Sequence, residues 1–327
     1  MKNTLTFLCL TLIMFTNGCA FGQLTKYPWT ATIKVVGEDG NPVPGADVSV
    51  QYTILPPSAP DQQAYGEIKG LTDDNGMFSA SHTDSSWTFG VNVGKAGYYT
   101  THIGHELYQP GQFDDKTVAA SRNPTFTLVL KKIGKPIAMY AKKEEIKMPK
   151  ENEPVGFDLT VGDWVAPYGA GKTADMLFTV HRKITSPQEF DANLKLTFPN
   201  AGDGVVVVPP SPADTGLSPL VMPHSAAEEG YQPALAWSYH NFTETSEPAS
   251  GYFFRVRTVL DSNGNVKSAL YGKIQGEVRF YVGSEAPRSG IAFDYYLNPV
   301  PNSRNVEFDL KQNIFQGLPF TEQVKAP

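Results

Sequence analysis

Cysteine is nearly absent from this chain. The two present, Cys9 and Cys19, both lie near the N-terminus. Cys9 sits inside an apolar leader, so a chain that has shed the leader cannot form an internal disulfide, even in an oxidising compartment. Its stability must then come from its hydrophobic cores. Charge is also sparse: Asp, Glu, Lys and Arg make up 18% of the residues, and the formal net charge is −6. No basic patch or stripe is present, and the short run Lys142-Lys143 is followed at once by acids. That argues against a nucleic-acid partner. Leu5 to Phe15 is far shorter than the roughly 20 apolar residues that span a bilayer, and no later stretch is long and apolar enough.

The N-terminus instead has the form of an export signal. Lys2 supplies the positive start, and Leu5 to Phe15 the apolar segment. Two ends to the signal are open. Ala20-Phe21-Gly22 fits a small-x-small cleavage site, which makes residues 1–22 the signal peptide and Gln23 the first mature residue. Gly18-Cys19-Ala20 resembles the end of a bacterial lipobox, with Cys19 lipidated, although Thr16 and Asn17 depart from that pattern. Either way the expected location is extracytoplasmic: secreted, periplasmic or lipid-anchored. Membrane contact is expected only through a lipid on Cys19.

The rest of the chain reads as β. Pro (26) and Gly (29) are abundant, as many short strands joined by turns require. Trp29 to Val36 is a β-branched run, Asp39-Gly40-Asn41 a tight turn, and Val48, Val50 and Tyr52 alternate as the next strand. Thr72 to Gly76 is another turn, Trp87 to Val93 a strand, and Thr125 to Leu130 the last before the composition shifts. Strands recurring at short intervals mark a β-sandwich. Three segments, Gly40-Asn41-Pro42-Val43-Pro44-Gly45-Ala46-Asp47-Val48, Thr72-Asp73-Asp74-Asn75-Gly76-Met77-Phe78 and Lys95-Ala96-Gly97-Tyr98, together resemble the carboxypeptidase regulatory-like (transthyretin-like) domain. The resemblance covers residues 28–133. It implies an accessory sandwich of seven or eight strands and no activity of its own. The Pro56–Gly70 insert and a His102–Thr117 loop depart from the family pattern.

Residues 134–153 read as a charged linker broken by Pro149. From 154 to 320 the pattern is again β, a second sandwich of no recognised family. Its clearest hairpin joins Tyr252–Leu260 to Val266–Lys273 through Asp261-Ser262-Asn263-Gly264-Asn265. The expected fold class is therefore all-β, with two antiparallel β-sandwich domains, the first transthyretin-like or Ig-like. A Pro-rich stretch between Phe198 and Gly251 carries Trp237, Tyr239 and His240, which either decorate a binding surface or cover one end of a sheet.

Several motifs fail on inspection. Gly169-Ala170-Gly171-Lys172-Thr173 ends like a phosphate-binding loop, but Ala166 stands where the first Gly belongs and a strand follows. His102 and His105 have the wrong spacing and context for a zinc helix. The Asp261 turn has Val266 and Gly272 where a calcium loop needs Gly and Glu. No Ser stands in a G-x-S-x-G context, and no carboxylate pair stands out. No catalytic residue, metal or cofactor is expected.

The remaining constellation is on the C-terminal strands. Arg255 and Arg257 alternate onto one face, with Arg279 on a polar face nearby and Asp294, Glu307 and Asp309 on later strands. Read structurally, these are cross-strand ion pairs. Read functionally, they form an Arg-rich groove that grips carboxylates or sugar hydroxyls through planar guanidinium forks. The expected protein is thus an exported, non-catalytic envelope or secreted module that binds glycans or envelope proteins. Its candidate ligand residues are Arg255, Arg257, Arg279, Trp237 and Tyr239. The alternatives are a carbohydrate- or peptide-active hydrolase and a structural scaffold.

Overall fold

The computed structural model describes residues 26–54, 64–186, 189–210, 216–241, 243–244, 248–282 and 289–327. The leader, with Cys9 and Cys19, lies outside them. The described chain is all-β and builds two sandwiches.

The first is formed by β1 (Tyr27–Gly37), β2 (Asp47–Ile54), β3 (Ala64–Leu71), β4 (Met77–Asp84), β5 (Thr88–Gly94), β6 (Thr101–Glu106) and β7 (Thr125–Leu130), with helix α1 (Asp115–Arg122) before β7. A three-stranded sheet, β4-β1-β7, faces a four-stranded sheet, β3-β2-β5-β6. Alternate residues point inward: Trp29, Ile33 and Val35 from one sheet meet Val48, Val50, Phe89 and Val91 from the other. Trp29 stacks on Phe89 with ring centroids 4.9 Å apart. Gly76 takes φ 73, and a Cβ there would lie 2.4 Å from the Val35 carbonyl oxygen, so the turn before β4 admits only glycine. Asp114 caps α1 by accepting a hydrogen bond from the Thr117 amide at 3.0 Å. The expected His102–Thr117 loop is corrected here. It holds β6 and the start of α1, and Gly104 had hidden the strand by interrupting its side-chain pattern.

The second sandwich uses β8 (Ile137–Lys147), β9 (Val155–Asp158), β10 (Asp163–Trp164), β11 (Met176–Ser186), β12 (Glu189–Thr197), β13 (Gly204–Val208), β14 (Ala234–His240), β15 (Thr243–Glu244), β16 (Gly251–Leu260), β17 (Val266–Val282), β18 (Ser289–Leu297) and β19 (Phe308–Asn313). The sheets are β10-β9-β11-β12-β14-β15 and β13-β16-β17-β18-β8-β19. Between them lie Phe157, Phe178, Leu194, Trp237, Phe254, Ile274 and Phe293. The second sheet is also covered on its outer side, by Met222, Tyr231 and Val324 against Phe253, Tyr271 and Tyr296. Burial on both faces explains the unbroken apolar run Tyr252-Phe253-Phe254.

Two expectations change. Residues 134–153 are not a linker: β8 lies inside the second sheet, pairing with β18 on one side and β19 on the other. Its charges misled because Glu144 is buried, with Lys142 Nζ 3.0 Å from its carboxylate. The Pro-rich stretch contains β13 and β14 rather than one long loop. The pairing is antiparallel apart from β1 with β7 and β8 with β19.

Candidate functional site

The proposed arginine face does not exist as one surface. A bulge between Val256 and Val259 puts Arg257 at φ 55, which turns its side chain away from that of Arg255. Arg255 stays on the outer side of β16, where its guanidinium lies 4.5 Å from the centre of the Tyr231 ring and Nε donates to the Gly202 carbonyl at 2.8 Å. Arg257 instead reaches across to the opposite sheet. Its Nε donates to Asp175 Oδ1 at 2.8 Å and its Nη2 to Asp175 Oδ2 at 2.9 Å, with further bonds to Asp158 and Thr160. Asp203 accepts the amides of Arg257 and Thr258 and holds the bulge. The bidentate bond to Asp175 raises the Arg257 pKa. Burial pushes the Asp175 carboxyl up, against the pull of Arg257. This is a clasp between sheets.

Trp237 is corrected as well. It is a core residue, its indole donating to Tyr252 Oη at 3.0 Å. Tyr239 turns inward, edge-on to Phe280 at 4.7 Å. Arg279 is exposed on β17 opposite Ala292. Burial raises the carboxyl of Asp294, with Lys143 and Arg279 opposing.

The loop that ends like a phosphate-binding motif does hold an anion, but one from its own chain. The amides of Lys172 and Thr173 donate to Asp158 Oδ2 at 2.9 and 3.0 Å, and that of Ala170 to Asp163 Oδ2 at 2.8 Å. Burial alone would raise the Asp158 carboxyl, yet these amides and Thr160 outweigh it and hold it below the usual range. Asp158, Asp163, Asp175 and Asp203 thus all have structural partners.

The two sandwiches meet at Glu307. Its carboxylate accepts Tyr99 Oη at 2.7 Å, the Gly134 amide at 2.9 Å and the Lys135 amide at 2.8 Å. His224 Nδ1 lies 3.1 Å away, and its Nε2 is 3.7 Å from Glu38. A Cβ on Gly134 would come within 2.5 Å of Glu307, which explains the glycine. Nearby, Lys131 Nζ donates to the Leu220 carbonyl at 2.8 Å, and the Leu217 amide to the His102 carbonyl at 2.7 Å. A segment of the second sandwich therefore bridges to the outer edge of β6 at His102.

Two outward polar sheet faces remain. On β11, β12 and β14, several polar side chains pair with one another or with a neighbouring turn: Asn193 donates to Ser238 at 2.7 Å, His240 lies 2.9 Å from Asp191, and His181 2.9 Å from Asn152.

The outer face of β3-β2-β5-β6 differs. Its cross-strand rows run Tyr65–Thr53, then Glu67–Gln51–Gly90–Gly104, then Lys69–Ser49–Asn92–His102. Gly90 and Gly104 are paired, neither has positive φ, and a Cβ on Gly104 would meet nothing within 4 Å. Other glycines make room for the fold: a Cβ on Gly66 would lie 2.3 Å from the Tyr52 ring, and one on Gly70 2.4 Å from that of Phe78. The Gly90–Gly104 pair serves no such internal purpose and leaves a bare trough, as glycine does where something approaches a strand closely. Asn92, His102 and Glu106 flank it, and their side chains have no partner among the described residues. Tyr65 stands at one side, 72% exposed. On the same face, a separate depression of about 650 Å³ is bounded by Asp47, Ser49, Lys69, Leu71, Asn92 and Gly94. This is the candidate site. The sequence does not show it because only the register of β5 with β6 brings Gly90 beside Gly104.

No family model matches the chain, and no curated protein does. Among solved structures, the chain is similar to the shaft pilin SpaA from Lactobacillus rhamnosus GG at 12% identity and TM-score 0.22, over 59% of this chain and 93% of the pilin. It is similar to a streptococcal ancillary pilin at 13% identity and TM-score 0.21, over 88% of this chain and 63% of that one. A 3-chlorocatechol 1,2-dioxygenase from Rhodococcus opacus matches at 14% identity and TM-score 0.23; the match covers 32% of this chain and 60% of the dioxygenase. Overlaps this loose carry no functional argument.

Proposed function

We propose that this chain is an exported, non-catalytic binding protein of the cell envelope, an adhesion-type module that holds glycans or envelope proteins on the outer face of its first sandwich. The carrying observation is the bare Gly90–Gly104 pair with Asn92, His102 and Glu106 beside it, whose side chains have no partner among the described residues. Asp158, Asp175 and Asp203, engaged by amides and Arg257, support the non-catalytic part of the reading. The resemblance of residues 28–133 to the carboxypeptidase regulatory-like domain belongs to the same proposal, with the leader supplying export. A scaffold role is a second reading, favoured by the many bonds that converge on Glu307 between the sandwiches.

Affinity electrophoresis of the exported protein against polysaccharides and peptidoglycan, with a pull-down from envelope extracts, tests the proposal. Retardation or specific capture that is lost on Gly104→Val supports binding at this face. Absence of both leaves the scaffold.

A further inference from the structure

We propose that two copies of this chain join edge to edge through β3, antiparallel, in a single register centred on Ile68. The contact lies at the rim of the first sandwich and is independent of what its outer face binds.

β3 is a margin of its sheet. β2 pairs with it on one side, and no strand pairs with it on the other among the described residues. The turn that leaves β3 shows which way its backbone groups point. Thr72 stands one step beyond the Asp47–Leu71 pair, and its amide donates to the Ala46 carbonyl at 3.0 Å, so Thr72 faces β2. Backbone groups alternate between the two edges of a strand. The even-numbered residues of β3 therefore bond β2, while Glu67, Lys69 and Leu71 direct their amides and carbonyls outward. Exposed edges are commonly blunted by a proline, a bulge or an inward-pointing charge. β3 has none of these: its register with β2 runs unbroken from Asp47–Leu71 to Ile54–Ala64, and Gly66, Ile68 and Gly70 are its inward positions.

The side chains select the occupant. The outward row reads Tyr65, Glu67, Lys69, Leu71. Reversed about Ile68, this row is its own complement. Glu67 falls opposite Lys69 of the second copy, and Lys69 opposite Glu67 of the second copy. Tyr65, 72% exposed, falls opposite Leu71 of the second copy, 61% exposed in the single chain, so the pairing also covers apolar surface. Opposite charges facing across a strand pair attract, and like charges repel. That contrast fixes the register. A slide of two residues sets Glu67 against Glu67 in one direction and Lys69 against Lys69 in the other. A slide of one residue sets outward backbone groups against groups that point back to β2. In-register parallel pairing again sets like charges side by side.

Other edges are differently engaged: β6 is bridged at His102 by Leu217, and β13 at Val205 by Gln232. Each copy has one β3, so the contact is isologous and closes at a two-fold dimer. It fuses the sheets into one of eight strands, the four of β3-β2-β5-β6 from each copy.

Sedimentation velocity of the exported protein, from low to high micromolar concentration, tests the proposal. The expected result is a monomer that passes into a dimer as concentration rises. Glu67→Lys alone, or Lys69→Glu alone, should weaken self-association by about tenfold or more, since two attractive pairs each become repulsive. An equimolar mixture of these two variants should restore dimerisation, because each supplies the sign that the other lacks. Both exchanges in one chain should restore it too, and such recovery separates a lost seam from a lost fold. A protein that stays monomeric throughout, single variants that dimerise as well as the parent, or a mixture of folded variants that fails to associate overturns the proposal.

Discussion

Tyr99 and Glu307 belong to different sandwiches, yet the phenol of one donates to the carboxylate of the other at 2.7 Å. Burial pushes the Glu307 carboxyl up; the Tyr99, Gly134 and His224 donors outweigh that, and its pKa lies below the ordinary 4.5. A carboxyl with a lowered folded pKa stabilises the fold above its unfolded pKa, and the benefit is lost as pH falls through the folded value. Thermal melts should therefore show a loss below about pH 4.5 that Glu307→Gln lacks. At pH 7 Glu307→Ala should cost about 2–3 kcal/mol, because several donors lose a charged acceptor.

Arg257→Ala should destabilise by about 3 kcal/mol, since it leaves Asp175 buried and ionised or forces it to protonate. Arg255→Ala should cost about 1 kcal/mol, the scale of one cation–π contact and one hydrogen bond. The double variant should lower the melting temperature sharply. A double variant of normal stability would instead return these arginines to the role of an exposed binding face.

Two strand glycines in opposite surroundings should respond with opposite sign. Gly104→Ala adds a Cβ into open space on a strand and should stabilise by about 0.5–1 kcal/mol. Gly272→Ala places a Cβ 2.2 Å from the Phe254 ring and 2.3 Å from the Tyr296 carbonyl, and should destabilise by about 1–3 kcal/mol. Denaturant melts of the pair report both, and a destabilised Gly104→Ala would mean that this glycine serves the fold rather than a ligand.

Lys273 is fully buried, its Nζ donating to the Pro327 carbonyl at 2.7 Å and lying 4.6 Å from the centre of the Tyr296 ring. Burial pulls its ammonium down to about 7 from 10.5. Between those values the unfolded chain holds a proton that the fold does not, so stability contributed by this group rises with pH across that window. Lys273→Met should flatten that rise in melts between pH 7 and 10.

Cys19→Ser tests the anchor. Release of the protein from membranes into the soluble fraction supports lipidation. Unchanged fractionation supports cleavage after Gly22.

The fold was legible in the sequence wherever one face of a strand is solvated, because alternation then survives, as from Val48 to Tyr52. It was illegible where both faces are buried or where a charge is buried. Glu144 and Lys142 made β8 read as a linker, since sequence alone does not say that a carboxylate and an ammonium neutralise each other inside a sheet. The arginine reading failed at the bulge: alternation assumes two residues per repeat, and one left-handed residue at 257 sends the next side chain elsewhere. The trough was hidden for another reason. Gly90 and Gly104 are 14 residues apart, and only the register pairs them.

The parallel pairing of β1 with β7 bears on mechanics. β1 begins near the leader end of the chain, and β7 ends at Leu130, just before the connection to the second sandwich. A pull between those two points drags the strands in opposite directions along their length. Every registered pair from Thr32–Thr125 to Gly37–Leu130 is then loaded in shear at the same time. A module tethered at one end and gripped at the other would resist extension through the whole ladder instead of yielding one bond after another.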